Sequence, residues 1–421
     1  MTAKKTGLSI NADRLWSDLE ELARIGGAEP GRRRGISRLA FTPEDMAGRR
    51  WLLVKMREAG LSACMDGVGN VFGRYEGAPS CIRGSGDADS PAIMLGSHID
   101  TVPEGGRFDG ALGVLGALEC VRTLRESGIT LKHPLEVAAF ANEEGTRILP
   151  GTFGSRAFVG GLSRDEEERL RPVLEQAGIS GEPRRLKDRE IASYLELHIE
   201  QGGVLDAFGD DIGVVTGIVG IRSFTVKFLG MANHAGTTPM NMRKDALLAA
   251  AQFILDVPDF VASLGSGSSV GTCGRISVSP GGRNVIPGEA EVSVEVRDLD
   301  NDVSLRIIEA LRKRAHEIGS LRGVEVRLSP VSSILGTPLD EQVQGDIEAA
   351  AVELGLRSRR MPSGAAHDCM HLARLAPSGM IFVPSRGGIS HSPDEWTTKE
   401  QCAAGANVLL HTVLRVDERL K

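Results

Sequence analysis

The 421-residue chain has ordinary hydrophobic and charged fractions, 41% and 25%, and a formal net charge of −7. Its length predicts two to three domains, and the acidic balance without a Lys/Arg stripe argues against nucleic acid as a partner. Six scattered cysteines with no CxxC pair, an N-terminus lacking an apolar core and no long unbroken apolar run predict a cytoplasmic protein with reduced thiols, not bound to a membrane.

Leu15, Trp16, Leu19, Leu22 and Ala23 recur at helical spacing and predict a helix over 13–25. A basic loop at 31–38 follows. Thr42-Pro43 opens a second helix that stops at Gly60. Residues 62–75, broken by Asp66-Gly67 and Gly69-Asn70, predict a hairpin, and 84–90 reads as a polar loop. The run Ala92-Ile93-Met94-Leu95 predicts a strand that delivers His98 and Asp100, two residues apart and therefore on one side. A carboxylate so placed can fix the tautomer of a metal-bound imidazole. Asp109 then stands as the N-cap of a helix over 111–125.

A second apolar strand, 135–140, ends in Asn142-Glu143-Glu144-Gly145. Adjacent carboxylates at a buried strand end are costly unless one binds a cation and the other handles protons. Alternating strands and helices predict an α/β layer with a largely parallel sheet. Residues 161–191 read as a charged, helical insertion. The period-two alternation of 194–202 puts Glu196, His198 and Glu200 on one strand face.

From about Gly217 the texture changes to strand 223–229, helix 245–261, strands 274–279 and 289–297, helix 302–318 and strand 324–329. That βαββαβ order is the ferredoxin-like plan, standing as a domain over 217–331 inserted between a first part, 1–216, and a second part, 332–421. Afterwards come helices over 339–354 and 368–375, strand 380–383, a Gly-rich turn at 385–395 carrying His391, and a last helix over 399–414.

His98, Asp109, Glu143, Glu144, His198 and His391 thus gather near strand ends, where open α/β folds place their sites. Three imidazoles and carboxylates without a thiolate suit Zn²⁺, Mn²⁺, Co²⁺ or Ni²⁺ without choosing among them. A carboxylate shared by two cations makes a hydrolytic site that activates water. Such chemistry needs one more carboxylate as a proton shuttle, and Glu143, beside a ligand, is the natural choice.

The segments GSHIDTV, FDGALGV, NEEG, ELHIEQG, NHAGTTPM, GRNVIPG, VRDLD, GAAHD and SHSPDE occur in this order. From about Gly35-Ile36-Ser37-Arg38-Leu39 to the last helix, the chain resembles the M20-type metallopeptidase and amidohydrolase superfamily. It is closest to the hydantoinase/carbamoylase branch, of which a His at position 198 is typical. The resemblance implies a zinc-peptidase-like catalytic domain interrupted by a lid and dimerisation domain that closes on hinges. It implies two divalent ions per subunit, bridged by Asp109, with His98 and His198 completing one site and Glu144 and His391 the other. Glu143 would be general base and acid, and Asp100 would stand behind His98.

The resemblance also implies substrate contacts from Gln201, His234, Asn284, Arg297 and the His367 of GAAHD. Arg297 suits a carboxylate, to which Asn284 could add a contact. His234 would polarise a ureido carbonyl, reaching the other subunit's site in a homodimer. The implied reaction is hydrolysis of the carbamoyl C–N bond of N-carbamoyl-L-amino acids to the amino acid, carbon dioxide and ammonia. Allantoate and ureidopropionate are the alternative substrates, with peptidase or deacylase activity less favoured. Retention of every candidate ligand argues against a catalytically dead binding protein. His133 and His371 match no motif and are expected to be surface or core residues.

Overall fold

Residues 7–27, 35–76, 91–187 and 189–420 are described by the computed structural model. The polar loop at 84–90 and the start of the basic loop, 31–34, lie outside the described residues.

The chain opens with α1 (Ala12–Arg24) and α2 (Pro43–Glu58), followed by β1 (Ser62–Met65) and β2 (Val71–Tyr75). Both helices start where side chains cap them: Asn11 accepts from the Arg14 N–H and Thr42 from the Asp45 N–H, with Pro43 in the first turn. Next come β3 (Ala92–His98), α3 (Ala111–Glu126), β4 (Leu135–Phe140), α4 (Phe153–Phe158), α5 (Arg164–Gln176), β5 (Ile191–Ile199), α6 (Val204–Phe208) and β6 (Ile212–Ile218). A second series follows: β7 (Gly220–Leu229), β8 (Asn233–His234), α7 (Ala246–Leu264), β9 (Val270–Ser279), β10 (Val285–Ile286), β11 (Glu289–Asp298), α8 (Asn301–Arg322), β12 (Glu325–Leu328) and β13 (Ser332–Ile334). The chain closes with β14 (Thr337–Pro338), α9 (Glu341–Glu353), β15 (Ser358–Ser363), α10 (Cys369–Leu372), β16 (Ser378–Val383) and α11 (Lys399–Arg419).

The chain divides into two compact units, Gly217–Pro338 and the remainder. In the larger unit the strands run β1-β2-β4-β3-β5-β16-β6. Its centre, β4-β3-β5-β16, is parallel, whereas the flanking pairs β1–β2, β2–β4 and β16–β6 are antiparallel. Strands β3, β4 and β16 are buried along their whole length, as strands covered on both faces must be. Helices α1, α3 and α11 pack on one another, with Leu112, Leu115, Leu118, Leu409 and Val413 in the core. Neither β6 nor β15 was expected, because glycines interrupt the first and arginines with a proline the second.

The smaller unit has the sheet order β12-β7-β11-β9, every adjacent pair antiparallel, with α7 packed against α8. Phe224, Val226, Phe228, Phe253, Ile307 and Leu311 form its core. The return to the larger unit comes at Leu339 rather than at 332, because β13 pairs with β7 and carries residues 332–334 into the smaller unit. By length and composition alone α7 is apolar enough to cross a bilayer, although Gln252, Asp256 and Asp259 break its apolar run. Its buried residues, Ala246, Ala249, Ala250, Phe253, Val257 and Val261, belong to a helix that packs on β7, β9, β11 and α8.

Candidate metal centre

Four parallel strands deliver the site from their carboxyl ends. His98 ends β3 opposite Phe140 of β4, Glu143 and Glu144 follow β4, and His198 lies at the end of β5 opposite Phe382 of β16. The turn after β16 carries His391, held at φ 54°. Asp109 precedes α3, but it is not the cap: that position belongs to Gly110, with no side-chain cap bond. Gly110 adopts φ +63°, and a Cβ there would meet the His98 ring at 2.4 Å. The absent side chain lets Asp109 reach the imidazoles instead.

Asp109 joins two triads, His98–Asp109–His198 and Asp109–Glu144–His391. Its Oδ1 lies 3.4 Å from His98 Nε2 and 3.3 Å from His198 Nε2. Its Oδ2 lies 3.4 Å from His391 Nε2, which is in turn 3.3 Å from Glu144 Oε2. In the first triad both Nδ1 atoms face main-chain carbonyls, His98 that of Asp100 at 3.0 Å and His198 that of Ile199 at 2.9 Å. Donation there leaves Nε2 of each ring as the lone-pair side, and the Gly110 N–H donates to that of His198. Imidazole and carboxylate donors converging in this way fit divalent cations.

Charges follow from the crowding. Burial opposes ionisation of Asp109, yet the protons that His198, His391 and His98 hold toward it in the metal-free chain outweigh burial and keep its carboxyl well below the usual range. Contact with Asp109 raises His391 to about 9, and burial followed by the Asp109 charge pushes Glu144 up to about 7. Burial drives Glu143 well above the ordinary carboxylate value. Its Oε2 stands 3.6 Å from His98 Nε2, next to the first triad but outside both.

Asp100 stands behind His98 on its Nδ1 side, with the carbonyl nearer than the carboxylate. Strand β3 ends at His98, so the period-two rule lapses, and the Asp100 carboxylate stands 3.9 Å from His98 Nδ1 while its carbonyl makes the close contact. The carboxylate instead accepts from the backbone N–H groups of Glu143 and Glu144, both at 3.3 Å. It therefore orients the turn bearing both glutamates. Glu200 also leaves the expected face, capping α6 through the N–H groups of Val204 and Leu205. Glu196 is fully buried beneath the centre, accepting from Ser97, Tyr194 and the Cys369 N–H.

Gln201 reaches the centre directly: its Nε2 donates to Asp109 Oδ2 at 2.7 Å. His367 is buried against the His198 ring, 4.6 Å between centroids, with Nε2 on Ser363 Oγ, and burial holds its pKa well below the ordinary value. Its neighbour Asp368 is fully buried and pushed up to about 8 by burial and then by Glu196. His133 and His371 are structural, as expected: the first contacts Asp417 and the second Thr152.

His234, Asn284 and Arg297 belong to the smaller unit. The β8–β10 ribbon brings His234 and Asn284 together, with the Ala235 N–H donating to the Asn284 carbonyl. Arg297 is not with them. Glu289 pairs with Leu229 at the ribbon end of β11, and Arg297 pairs with Ile221 at the other end. At about 3.3 Å per residue these ends are roughly 26 Å apart. The ribbon that carries Asn284 therefore leaves the sheet at the end of β11 opposite Arg297. Arg297 Nε lies 2.8 Å from Glu295 Oε1.

Two residues of SHSPDE that had no assigned role also touch the centre. Ser390 Oγ lies 3.0 Å from Asp109 Oδ2, and Glu395 accepts from the N–H groups of Phe108 and Asp109. The motif itself was the only signal for them.

Two imidazole–carboxylate triads sharing one aspartate at the carboxyl end of a parallel sheet define a metallohydrolase-type centre. The pattern of the peptidase family M20/M25/M40 matches residues 94–415, and the chain belongs to this metal-dependent family, in its hydantoinase/carbamoylase branch. An N-carbamoyl-L-amino acid amidohydrolase of Geobacillus stearothermophilus is 42% identical over 96% of this chain and 98% of its own length. A ureidoglycolate hydrolase of Oryza sativa is 37% identical over 97% of this chain and 85% of its own. A solved amidase of the hydantoinase/carbamoylase family from Burkholderia multivorans is 37% identical, with a TM-score of 0.88 over 97% of this chain and 98% of that one.

Proposed function

We propose that the chain is a cytoplasmic, dinuclear metal-dependent amidohydrolase that cleaves the carbamoyl C–N bond of N-carbamoyl-L-amino acids, yielding the amino acid, carbon dioxide and ammonia. The observation that carries this reading is Asp109 shared by two triads with Glu143 beside them. His98, Asp109 and His198 would hold one divalent ion, and Asp109, Glu144 and His391 the other, drawn from Zn²⁺, Mn²⁺, Co²⁺ or Ni²⁺. When bound, these ions supply Lewis acidity toward the carbonyl and lower the pKa of water.

Glu143 takes a proton from the attacking water and returns it to the leaving nitrogen, and a carboxyl whose pKa burial has raised suits both halves of that task. Asp100 keeps Glu143 in place through its backbone N–H. His234 steadies the developing oxyanion, while Gln201, Asn284, Arg297 and His367 position the substrate. The position of Arg297 at the end of β11 opposite the ribbon that bears His234 and Asn284 supports sharing these contacts between two copies. An edge position for β9, ten residues long and largely exposed, supports a homodimer through the smaller unit. Unpaired cysteines at 64, 120, 273, 369 and 402 support a reducing compartment.

A second reading keeps the centre and changes the substrate to another ureido acid, allantoate, ureidopropionate or ureidoglycolate; similarity to the rice hydrolase favours it. The test is ammonia release by the Mn²⁺-loaded protein from N-carbamoyl-L-amino acids, N-carbamoyl-β-alanine, allantoate and ureidoglycolate. Turnover of the carbamoyl-L-amino acids alone is expected, and silence toward all four would overturn both readings. Glu143→Gln should bind cations as wild type does and lose about three or more orders of magnitude in kcat. A variant near the wild-type rate would remove Glu143 from its role.

A further inference from the structure

Glu395 ends the turn that carries His391 and reaches across to the loop that carries Asp109. It is 2% exposed, and Gly106 beside it has no room for a side chain: a Cβ would fall 2.0 Å from the Glu395 carboxylate. Its Oε1 accepts from the Phe108 N–H at 2.9 Å and the Asp109 N–H at 3.2 Å. Its Oε2 lies 2.9 Å from Ser390 Oγ, which is also 3.0 Å from Asp109 Oδ2.

A serine hydroxyl has one proton, so Ser390 can donate to only one of these carboxylates at a time. Asp109 Oδ2 already accepts from Gln201 Nε2 at 2.7 Å. If the Ser390 proton also turned to Oδ2, both lone pairs of that oxygen would be filled, and none would face the Glu144–His391 side. Glu395 is the other acceptor for that proton.

We propose that Glu395 is a positioning residue for the second cation: it draws the Ser390 proton away from Asp109 Oδ2 while its backbone contacts hold Asp109 in place. The proposal rests on the two-cation reading above. Glu395→Gln separates the two tasks. Only its amide oxygen can accept from the Phe108 and Asp109 N–H groups, so its NH₂ must face Ser390. The serine oxygen then accepts from that NH₂, and its proton is forced onto Asp109 Oδ2.

The experiment is Mn²⁺ titration of the chelator-stripped full chain by calorimetry, with bound metal counted after dialysis, for wild type, Glu395→Gln, Ser390→Ala and the double variant. Partners that orient a metal's ligands are typically worth 10–100-fold in affinity. Glu395→Gln should weaken the second equivalent by about that factor and leave the first within about threefold. Adding Ser390→Ala should restore the second equivalent to within about threefold of wild type, a rescue that a purely structural role of Glu395 does not give.

An unchanged second equivalent, a parallel fall of both, or no rescue would overturn the proposal. Should Glu395→Gln fail to fold, Ser390→Ala alone decides: its second equivalent should be no weaker than wild type, and a loss of about tenfold would overturn the proposal. A wild-type chain that takes up fewer than two equivalents brings down the two-cation reading itself, and this proposal with it.

Discussion

Glu143 and Glu144 are adjacent in the chain but face different partners, the first near His98 and the second near His391. Burial raises both, Glu144 to about 7, and contact with Asp109 raises His391 to about 9. A cation needs these ligands deprotonated, so protons compete with it below those values. Affinity at the Asp109–Glu144–His391 triad should therefore climb as pH rises from about 7 to 9, with protons released on binding. Calorimetry in buffers of different ionisation heat reads both quantities, and a flat affinity with no proton release would contradict the geometry. The ligands themselves were legible in the sequence because few residue types bind metals and strand ends expose them. The contact from Glu395 to Phe108 was not, since the two are 287 residues apart and no local period relates them.

At the scale of elements, a single side chain fastens α1 to the end of β3. Arg38 is fully buried, and its guanidinium donates to the carbonyls of Ile99, Leu22 and Ile25. Two of these carbonyls belong to the last turn and C-cap of α1, where a helix leaves acceptors unpaired and carries partial negative charge. Burial pushes the Arg38 pKa down to about 10, leaving it charged at neutral pH. Arg38→Met would fill the stem but strand the Ile25 and Ile99 carbonyls, Leu22 keeping the Ile25 N–H, and should lower the stability of the metal-free chain by about 2–4 kcal/mol. Denaturant unfolding at neutral pH measures this, and a change below about 1 kcal/mol would mean that other groups satisfy those carbonyls. The helix and strand were both readable from their periods; the guanidinium that joins them was not, because Arg38 lies in a loop with no period of its own.

On the scale of the whole chain, the smaller unit leaves and returns at one place. Thr337 pairs with Ile218, Pro338 with Gly217, and the Leu339 N–H donates to the Thr216 carbonyl at 3.0 Å. Replacing 217–338 by a short Asn-Gly turn should therefore let the larger unit fold on its own core. The shortened chain should bind cations and lose hydrolysis, since His234, Asn284 and Arg297 go with the excised unit. Thermal unfolding and Mn²⁺ titration check it; loss of the cooperative transition would show that the larger unit depends on the smaller one for its fold.

Periodicity and residue type alone determined the α/β layer, the inserted βαββαβ plan and the metal-ligand candidates. Each is encoded within a few residues, by alternation along a strand or by the chemistry of His, Asp and Glu. Tertiary structure alone decided that the Asp100 carboxylate serves the Glu143–Glu144 turn and that Arg297 stands a strand's length from Asn284. It also brought Ser390 between two carboxylates. Those outcomes depend on how distant loops close on one another, and no local pattern carries that information.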